Sequence, residues 1–359
     1  MNRSRSILFV LLLITFSGLA QTRKYSNEFL NIGVGARALG MSNSFIVSAN
    51  DVTAGYWNPA GLAAMGNQHQ LTLMHSEYFA GIAKYDYGAF ATRLDSTSAL
   101  GVSIVRFGVD DIPNTTELID ANGNVNYDRI TKFSAVDFAL LVSYAKSLTK
   151  IPGLRLGANV KVIRRRVGDF AGSWGFGLDA GAQYDVNKWK FAAMARDVTS
   201  TFNAWSYNLS DATKAVFQTT GNEIPENSVE ITLPKLLLGV ARKFDLSPKI
   251  SMLVESDLDA TFDGKRNVLI KSKAVSMDPH IGVEASYSNI IFLRGGLGNY
   301  QSYTDASHRT ITTIQPNIGV GIHIKSFYLD YALTDIGDQS VALYSHVFTV
   351  KLEINKKVK

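Results

Sequence analysis

Residues 174–185 read WGFGLDAGAQYD, with a large or apolar residue at every second position and glycine, aspartate or glutamine between them. Successive side chains of a β-strand point to opposite faces. The stretch therefore predicts a strand with one apolar face and one face of small and polar residues. The same alternation is clear at 154–162, 327–334 and 346–354. Further strands are predicted near 68–78, 83–93, 98–108, 134–147, 189–198, 235–245, 251–259, 279–287, 290–298 and 312–325.

Two all-β architectures have alternating strands: a soluble sandwich or barrel, and a transmembrane barrel. About ten residues is the length that a tilted strand needs to cross a bilayer, and short turns that alternate with long connections are typical of outer-membrane barrels. Short turns are expected at 95–97, 286–289 and 325–326, and long connections at 109–133, 199–234, 260–278 and 299–310. We therefore predict an all-β fold, a transmembrane antiparallel β-barrel of about 14 strands.

The first twenty residues have the features of an export signal. Arg3 and Arg5 are positive, residues 7–16 are apolar, and Gly18-Leu19-Ala20 is a small-residue cleavage site. We predict that residues 1–20 are a signal peptide. The chain contains no cysteine, so an exported product must be stable without disulfides. Together with the barrel pattern, these features predict that the protein lies in the outer membrane of a Gram-negative bacterium.

Aromatic and basic residues fall where strands are expected to leave the membrane. The net charge is +5, and the lysines and arginines are scattered, which argues against a nucleic-acid surface. The one dense basic run, Arg164-Arg165-Arg166, ends a predicted strand, and is either an interfacial anchor or a docking site for an acidic lipid or partner.

An aromatic girdle is expected from Tyr78, Tyr144, Trp174, Trp189, Tyr287 and Tyr344.

Residues 21–67 do not alternate and include GYWNPAGLAAM at 55–65. Two short helices are predicted there, one over 52–56 capped by Asn50 or Asp51, the other with Asn58 as N-cap, Pro59 as first residue and Gly66 as a left-handed end. A fourteen-strand barrel encloses a lumen that its own side chains cannot fill. We therefore predict that residues 21–67 form a hatch inside a barrel built from residues 68–359.

Three stretches of the hatch resemble the N-terminal signature of the PorV/PorQ family of outer-membrane proteins. They are Gly35-Ala36-Arg37-Ala38-Leu39-Gly40-Met41, Asn50-Asp51-Val52-Thr53-Ala54 and Tyr56-Trp57-Asn58-Pro59-Ala60-Gly61-Leu62, with Asp110–Thr115, Phe133-Ser134 and Ser143–Ala145 downstream. That family is associated with type IX secretion and is similar to the FadL long-chain fatty-acid transporters. The resemblance implies a luminal hatch that contains Asn58, Pro59 and Ala60. The candidate hatch residues are Arg37, Asp51, Tyr56, Trp57, Asn58, Pro59 and Ala60.

No pattern of catalytic or metal-binding residues stands out. The six histidines are dispersed, and the acidic stretch at 120–128 is interpreted as a hairpin that turns at Asn122-Gly123 rather than as a calcium loop. We predict no enzyme activity and no cofactor. By resemblance, the protein is an accessory of type IX secretion that binds the translocon or exported cargo. The alternative is a FadL-like transporter of fatty acids or other hydrophobic molecules. Outer-membrane lipid is expected to surround the barrel in either case.

Overall fold

The structure, a computed structural model, describes residues 26–119, 124–304, 307–335 and 344–355. The predicted signal peptide at 1–20 and the predicted turn at Asn122-Gly123 lie outside the described residues. No helix of the described part is long and apolar enough to span a membrane.

The described residues form an antiparallel sheet of sixteen strand segments. The strands are β1 (His69–Tyr78), β2 (Ala83–Arg93), β3 (Ser98–Asn114), β4 (Thr131–Ser147), β5 (Leu154–Val167), β6 (Ala171–Val186), β7 (Trp189–Arg196), β8 (Thr201–Tyr207), β9 (Ser228–Thr232), β10 (Lys235–Ser247), β11 (Ile250–Thr261), β12 (Ser276–Tyr287), β13 (Ile291–Thr304), β14 (Thr310–Ile324), β15 (Phe327–Thr334) and β16 (Ser345–Ile354).

Two strands of the barrel are interrupted. β7 and β8 together make up one of them, and β9 and β10 together make up the other. β7 pairs with one half of β6 and β8 pairs with the other half, while β10 pairs with β7 and β9 with β8. The break before β10 falls at Pro234, which has no N–H to offer a ladder. β1 pairs with β16 and β5 pairs with β6, so the sheet closes on itself. The predicted transmembrane fold is confirmed as a closed barrel of 14 strands.

The wall is polar inside and apolar outside. In β16, Ser345, Thr349 and Lys351 are buried towards the lumen, whereas Phe348 and Leu352 are exposed on the outer face. The same division runs around the barrel, since Leu73, Val160, Phe176, Leu238, Leu293 and Val320 are also exposed outside. A soluble barrel has the opposite arrangement, so this outer surface is suited to lipid.

The girdle prediction needs one correction. Tyr144, Trp174, Trp189, Tyr287 and Tyr344 are exposed, as expected of interfacial residues. Tyr78 is instead buried, because it stands on the same row of β1 as the lumen-facing Met74 and Ser76.

The connections at one end of the barrel are shorter than the sequence predicts, because several strands are longer than predicted. β3 extends to Asn114 and β4 begins at Thr131, which takes up much of the predicted connection 109–133. The predicted connection 199–234 contains β8, helix α3 (Asp211–Thr219) and β9. These residues alternate less regularly, so their strands were missed.

Residues 26–67 lie inside the barrel and are called the hatch. They contain α1 (Ala36–Leu39), α2 (Ala54–Trp57) and two 3-10 helices, Glu28–Leu30 and Pro59–Ala64; a third 3-10 helix, Tyr127–Arg129, precedes β4. Neither Asn50 nor Asp51 caps α2, whose N-cap is Thr53, so that prediction was wrong. Gly66 does not have a positive φ, so the predicted left-handed end is wrong; the C-cap of the second 3-10 helix is Met65.

We expect an arginine on the outer face to destabilise the barrel according to its depth. Val160 lies mid-strand and Val186 at the end of its strand, and both face outward. Val160→Arg should lower the free energy of unfolding by about 2–4 kcal/mol and Val186→Arg by about 0–1 kcal/mol. Urea unfolding in lipid vesicles measures both. Equal losses of unfolding free energy in the two variants would contradict the placement of this outer face in the membrane.

Candidate functional site

Asn58 joins the hatch to two strands of the wall. Its Oδ1 accepts a hydrogen bond from Ala60 N at 3.2 Å, which makes it the N-cap that the sequence predicts, with Pro59 as the first helical residue. Its Nδ2 lies 3.3 Å from Ile46 O in the hatch, 3.1 Å from Ala182 O in β6 and 3.5 Å from Ala193 O in β7. A completely buried amide therefore caps a helix and also reaches the wall.

The wall beside Asn58 has glycines where a side chain would not fit. A Cβ added at Gly181 would lie 2.1 Å from Asn58 Oδ1. One added at Gly157 would lie 2.3 Å from Ala60 N, inside the second 3-10 helix. The glycines on the inner face of β5 and β6 thus allow the hatch backbone to touch the wall.

Tyr56 and Trp57 join α2 to the first residues of the hatch. Tyr56 OH donates to Leu30 O at 2.6 Å, and Trp57 Nε1 donates to Val34 O at 2.9 Å. The Arg196 guanidinium of β7 lies 4.9 Å from the Tyr56 ring centroid. The two aromatics therefore contact the wall through their rings and the first hatch residues through their polar atoms.

Arg37 enters a chain of buried ion pairs on the wall. Its Nε and Nη2 donate to the two carboxylate oxygens of Glu284 at 2.8 and 2.7 Å. Arg294 Nε donates to the same carboxylate at 2.7 Å, and Arg294 Nη1 donates to Asp330 at 2.7 Å. Because each charge has an opposite neighbour, the network can remain ionised although it is buried.

Asp51 forms the second ionic link between hatch and wall. Its Oδ2 lies 2.9 Å from Lys351 Nζ of β16, and its Oδ1 accepts from Thr53 N and Oγ1. Burial alone would raise the pKa of Asp51, but attraction by Lys351 and Arg37 outweighs burial and lowers that pKa below its ordinary value.

Carboxylates of β11 hold the hatch backbone between the helices. Phe45 N and Ile46 N donate to Asp257 Oδ2 at 2.8 and 3.1 Å, and Val47 N donates to Glu255 Oε1 at 2.7 Å. Both carboxylates are buried. They satisfy backbone donors that this non-helical segment cannot satisfy itself.

The role of the seven candidate hatch residues stays a prediction, and the wall residues that bind the hatch were not predicted from the sequence. These wall residues are Gln183, Arg196, Glu255, Asp257, Glu284 and Lys351, and Arg294 supports Glu284 from the wall. A signal was present, because each is a large polar or charged residue on the lumen-facing row of a strand. Buried charges in such rows need partners, and the hatch is the segment available to supply them.

A cavity of about 990 Å³, called the vestibule, lies between the hatch and the long connections. The hatch side of its lining mixes apolar residues, Phe29, Ile32, Leu39, Tyr56 and Trp57, with polar ones, Glu28, Asn31, Ser42 and Asn43. The wall side carries ion pairs, among them Lys235–Asp259 at 2.6 Å and Arg165–Asp137 at 3.0 Å. The vestibule can therefore offer an apolar surface and polar groups to one molecule.

The described residues contain no group of three histidines or acids arranged to hold a metal ion. The predictions of no cofactor and no enzyme activity remain predictions.

Solved structures of similar fold include a toluene transporter, a monoaromatic hydrocarbon channel and a FadL homologue. The toluene transporter TbuX of Ralstonia pickettii is 15% identical, with a TM-score of 0.53 over 90% of this chain and 99% of that chain. The monoaromatic hydrocarbon channel CymD is 12% identical, with a TM-score of 0.56 over 90% and 98%. A FadL homologue of Pseudomonas aeruginosa is 12% identical, with a TM-score of 0.52 over 89% and 97%.

At these identities the likeness concerns the fold, which is that of FadL-like barrels. No protein-family model and no curated protein matches the chain. The closed barrel and its apolar outer face confirm the predicted outer-membrane location.

We expect Asn58→Leu to loosen the hatch and leave the barrel closed. Leucine fills similar space but cannot cap Ala60 or donate to Ala182, so about 1–3 kcal/mol of local stability is lost for each buried group left unpaired. Conductance across planar bilayers should rise above wild type. Asn222→Leu, in an exposed connection, is the matched control. Unchanged conductance in Asn58→Leu would remove the main support for a sealing role.

We expect the Asp51–Lys351 link to resist mild acid. Because the pKa of Asp51 is lowered on folding, the link stabilises the hatch fully above the unfolded-state value of about 3.9 and is lost as pH falls through the folded-state pKa. Conductance should stay low from pH 7 to about pH 4 and rise in stronger acid. Asp51→Asn should conduct more already at pH 7. Opening of the wild type between pH 7 and pH 5 would contradict this assignment.

Proposed function

We propose that the protein admits small organic molecules with an apolar part across the outer membrane, as the FadL-like alternative predicts. The observation that carries this proposal is the vestibule, which faces the long connections and has the hatch as its floor, with both apolar and polar side chains. Long connections are extracellular in outer-membrane barrels, so the vestibule faces the medium. A molecule that enters it is stopped by the hatch.

The lining favours a solute that also carries a polar group. Ion pairs such as Lys235–Asp259 line the wall, whereas a site for a pure hydrocarbon would be apolar throughout. The names of the similar structures describe transport of toluene and of monoaromatic hydrocarbons. For this chain we propose the broader class of aromatic or long-chain molecules with a polar or charged end.

A break in the wall between β9 and β10 supports an exit route for the solute beside the hatch. Leu233 and Pro234 interrupt the strand between β9 and β10, and the far edge of β9 has no partner strand among the described residues. A small cavity of about 40 Å³ at this break is lined by hatch residues Ser26, Asn27 and Leu30. Movement of this part of the hatch would connect the vestibule to the break.

The second candidate is the type IX accessory implied by the PorV/PorQ resemblance. An accessory needs an exposed apolar surface on its extracellular connections. The connection between β3 and β4 has one, since Ile119, Val125 and Tyr127 are 60%, 53% and 73% exposed. These side chains are suited to binding secretion-system proteins or secreted cargo.

Blocking the vestibule tests the transport proposal. Gln301 on β13 lines the vestibule, so Gln301→Trp should lower uptake of a labelled aromatic acid or fatty acid severalfold. Gln218→Trp, on α3 outside the vestibule lining, is the matched control. Uptake is measured in cells that lack other transporters of these solutes. If both variants transport like the wild type, the vestibule is not the route.

Deleting the gene separates the two candidates. Loss of solute uptake with normal export of type IX cargo is expected from the transport proposal. The reverse result would establish the accessory, and Ile119→Ser with Tyr127→Ser should then reduce the proteins that co-purify.

A further inference from the structure

The basic run Arg164-Arg165-Arg166 is divided between the two sides of the wall, and only Arg165 belongs to the vestibule. Arg165 faces the lumen, where its Nε donates to Asp137 at 3.0 Å. Arg164 and Arg166 stand on the opposite row of β5, because neighbouring residues of a strand alternate. Arg166 is 63% exposed, in agreement with this outward position.

These two arginines lie at the extracellular edge of the apolar outer face. β5 follows the short connection 148–153 and ends at Val167, at the end of the barrel that carries the long connections. Arg164 is opposite both Phe138 of β4 and Trp174 of β6 in the strand register. Its guanidinium carbon lies 5.1 Å from the centroid of the exposed Trp174 ring. Trp174 marks headgroup depth, so Arg164 has its donors there.

Most N–H donors of the Arg164 guanidinium have no acceptor among the described residues. Within the described part of the chain, its guanidinium donates to one oxygen, Ser173 O, at 3.1 Å. Arginine has five N–H donors in a planar fork that matches two oxygens of a phosphate.

A groove of about 610 Å³ lies on the wall beside Arg166. Lys132 lines it together with Arg166, and small residues, Ser134 and Gly168, give it depth. Below it on β4 and β5, the outward side chains are Phe138, Leu140 and Val162, which are apolar. Basic residues thus border a recess directly above a hydrocarbon-facing surface.

Two acids near the groove form only exposed ion pairs. Asp111 lies 3.2 Å from Lys132 Nζ and is 76% exposed, and Asp169 pairs with Arg166 and is 88% exposed. Exposed ion pairs are weak. Phosphate carries more charge than a carboxylate and can bind an arginine through two hydrogen bonds, so it can displace these partners.

We propose that Lys132, Arg164 and Arg166 bind the phosphate group of a lipid in the outer leaflet. The groove takes the headgroup, and the acyl chains lie along the apolar rows of β4 and β5. This site is on the outside of the barrel and does not depend on the transport proposal.

Binding of defined lipids to the purified barrel in detergent tests this site. Native mass spectrometry is used with bis-phosphorylated lipid A and with the same lipid A after removal of both phosphates. The wild type should retain the phosphorylated lipid at least about tenfold more tightly than the variant with Lys132→Gln, Arg164→Gln and Arg166→Gln, since three charge-assisted contacts are lost. The dephosphorylated lipid should bind both proteins equally.

A control variant and a folding assay accompany the lipid-binding measurement. Arg242 also faces outward over a tryptophan, Trp189 at 4.9 Å, but at the short-turn end of the barrel, so Arg242→Gln should bind like the wild type. A shift in gel mobility on boiling verifies that each variant is folded. Equal retention of the phosphorylated lipid by the triple variant and the wild type would overturn the proposal. So would a wild type that retains the dephosphorylated lipid as tightly as the phosphorylated one. Saturation of the site by inorganic phosphate alone at micromolar concentration would assign it to a soluble anion instead.

Discussion

The structure depends on hydrogen bonds between a polar inner wall and the backbone of an irregular segment. The hatch has only short helices, so many of its N–H and C=O groups have no partner of their own. Asp257 and Glu255 accept from the backbone at Phe45–Ser48, while Gln183 donates to the carbonyls of Ile46, Val47 and Ala49. Unpaired buried groups would each cost free energy. The wall can therefore hold the hatch only in the position where these pairs match.

Ion pairs add specificity to this arrangement. Buried pairs such as Arg37–Glu284 and Asp51–Lys351 contribute little net stability after desolvation, but a hatch in another position would leave buried charges alone. The same argument bears on the proposed transport. A shift of the whole hatch breaks several pairs at once, whereas a shift of residues 26–32 beside the break at Pro234 leaves those of Arg37 and Asp51 in place. Such a local movement would break the Glu28–Arg266 ion pair and the hydrogen bonds to Leu30 O, but not the ion pairs of Arg37 and Asp51.

Much of the fold could be predicted because its signals are local. Alternation at 174–185 and 346–354 gave strands that the structure contains, and the wide lumen of about fourteen strands required a filling segment. The errors have local causes as well. Thr53 rather than Asn50 or Asp51 precedes α2, and Tyr78 ends its strand on the luminal row. β8 and β9 have only seven and five residues, too short for the alternation to be recognised, so the sequence predicts a connection there.

By itself, the sequence determined that this chain is a barrel with a lipid-facing surface, because each strand records which of its faces is apolar. It also indicated that residues 55–65 belong to a plug, since they are compact and do not alternate. Only the tertiary structure decided what holds the plug. Asp257 and Phe45 are 212 residues apart, and their contact depends on barrel closure and strand register. The vestibule and the outer groove arise in the same way, from side chains that distant strands bring together.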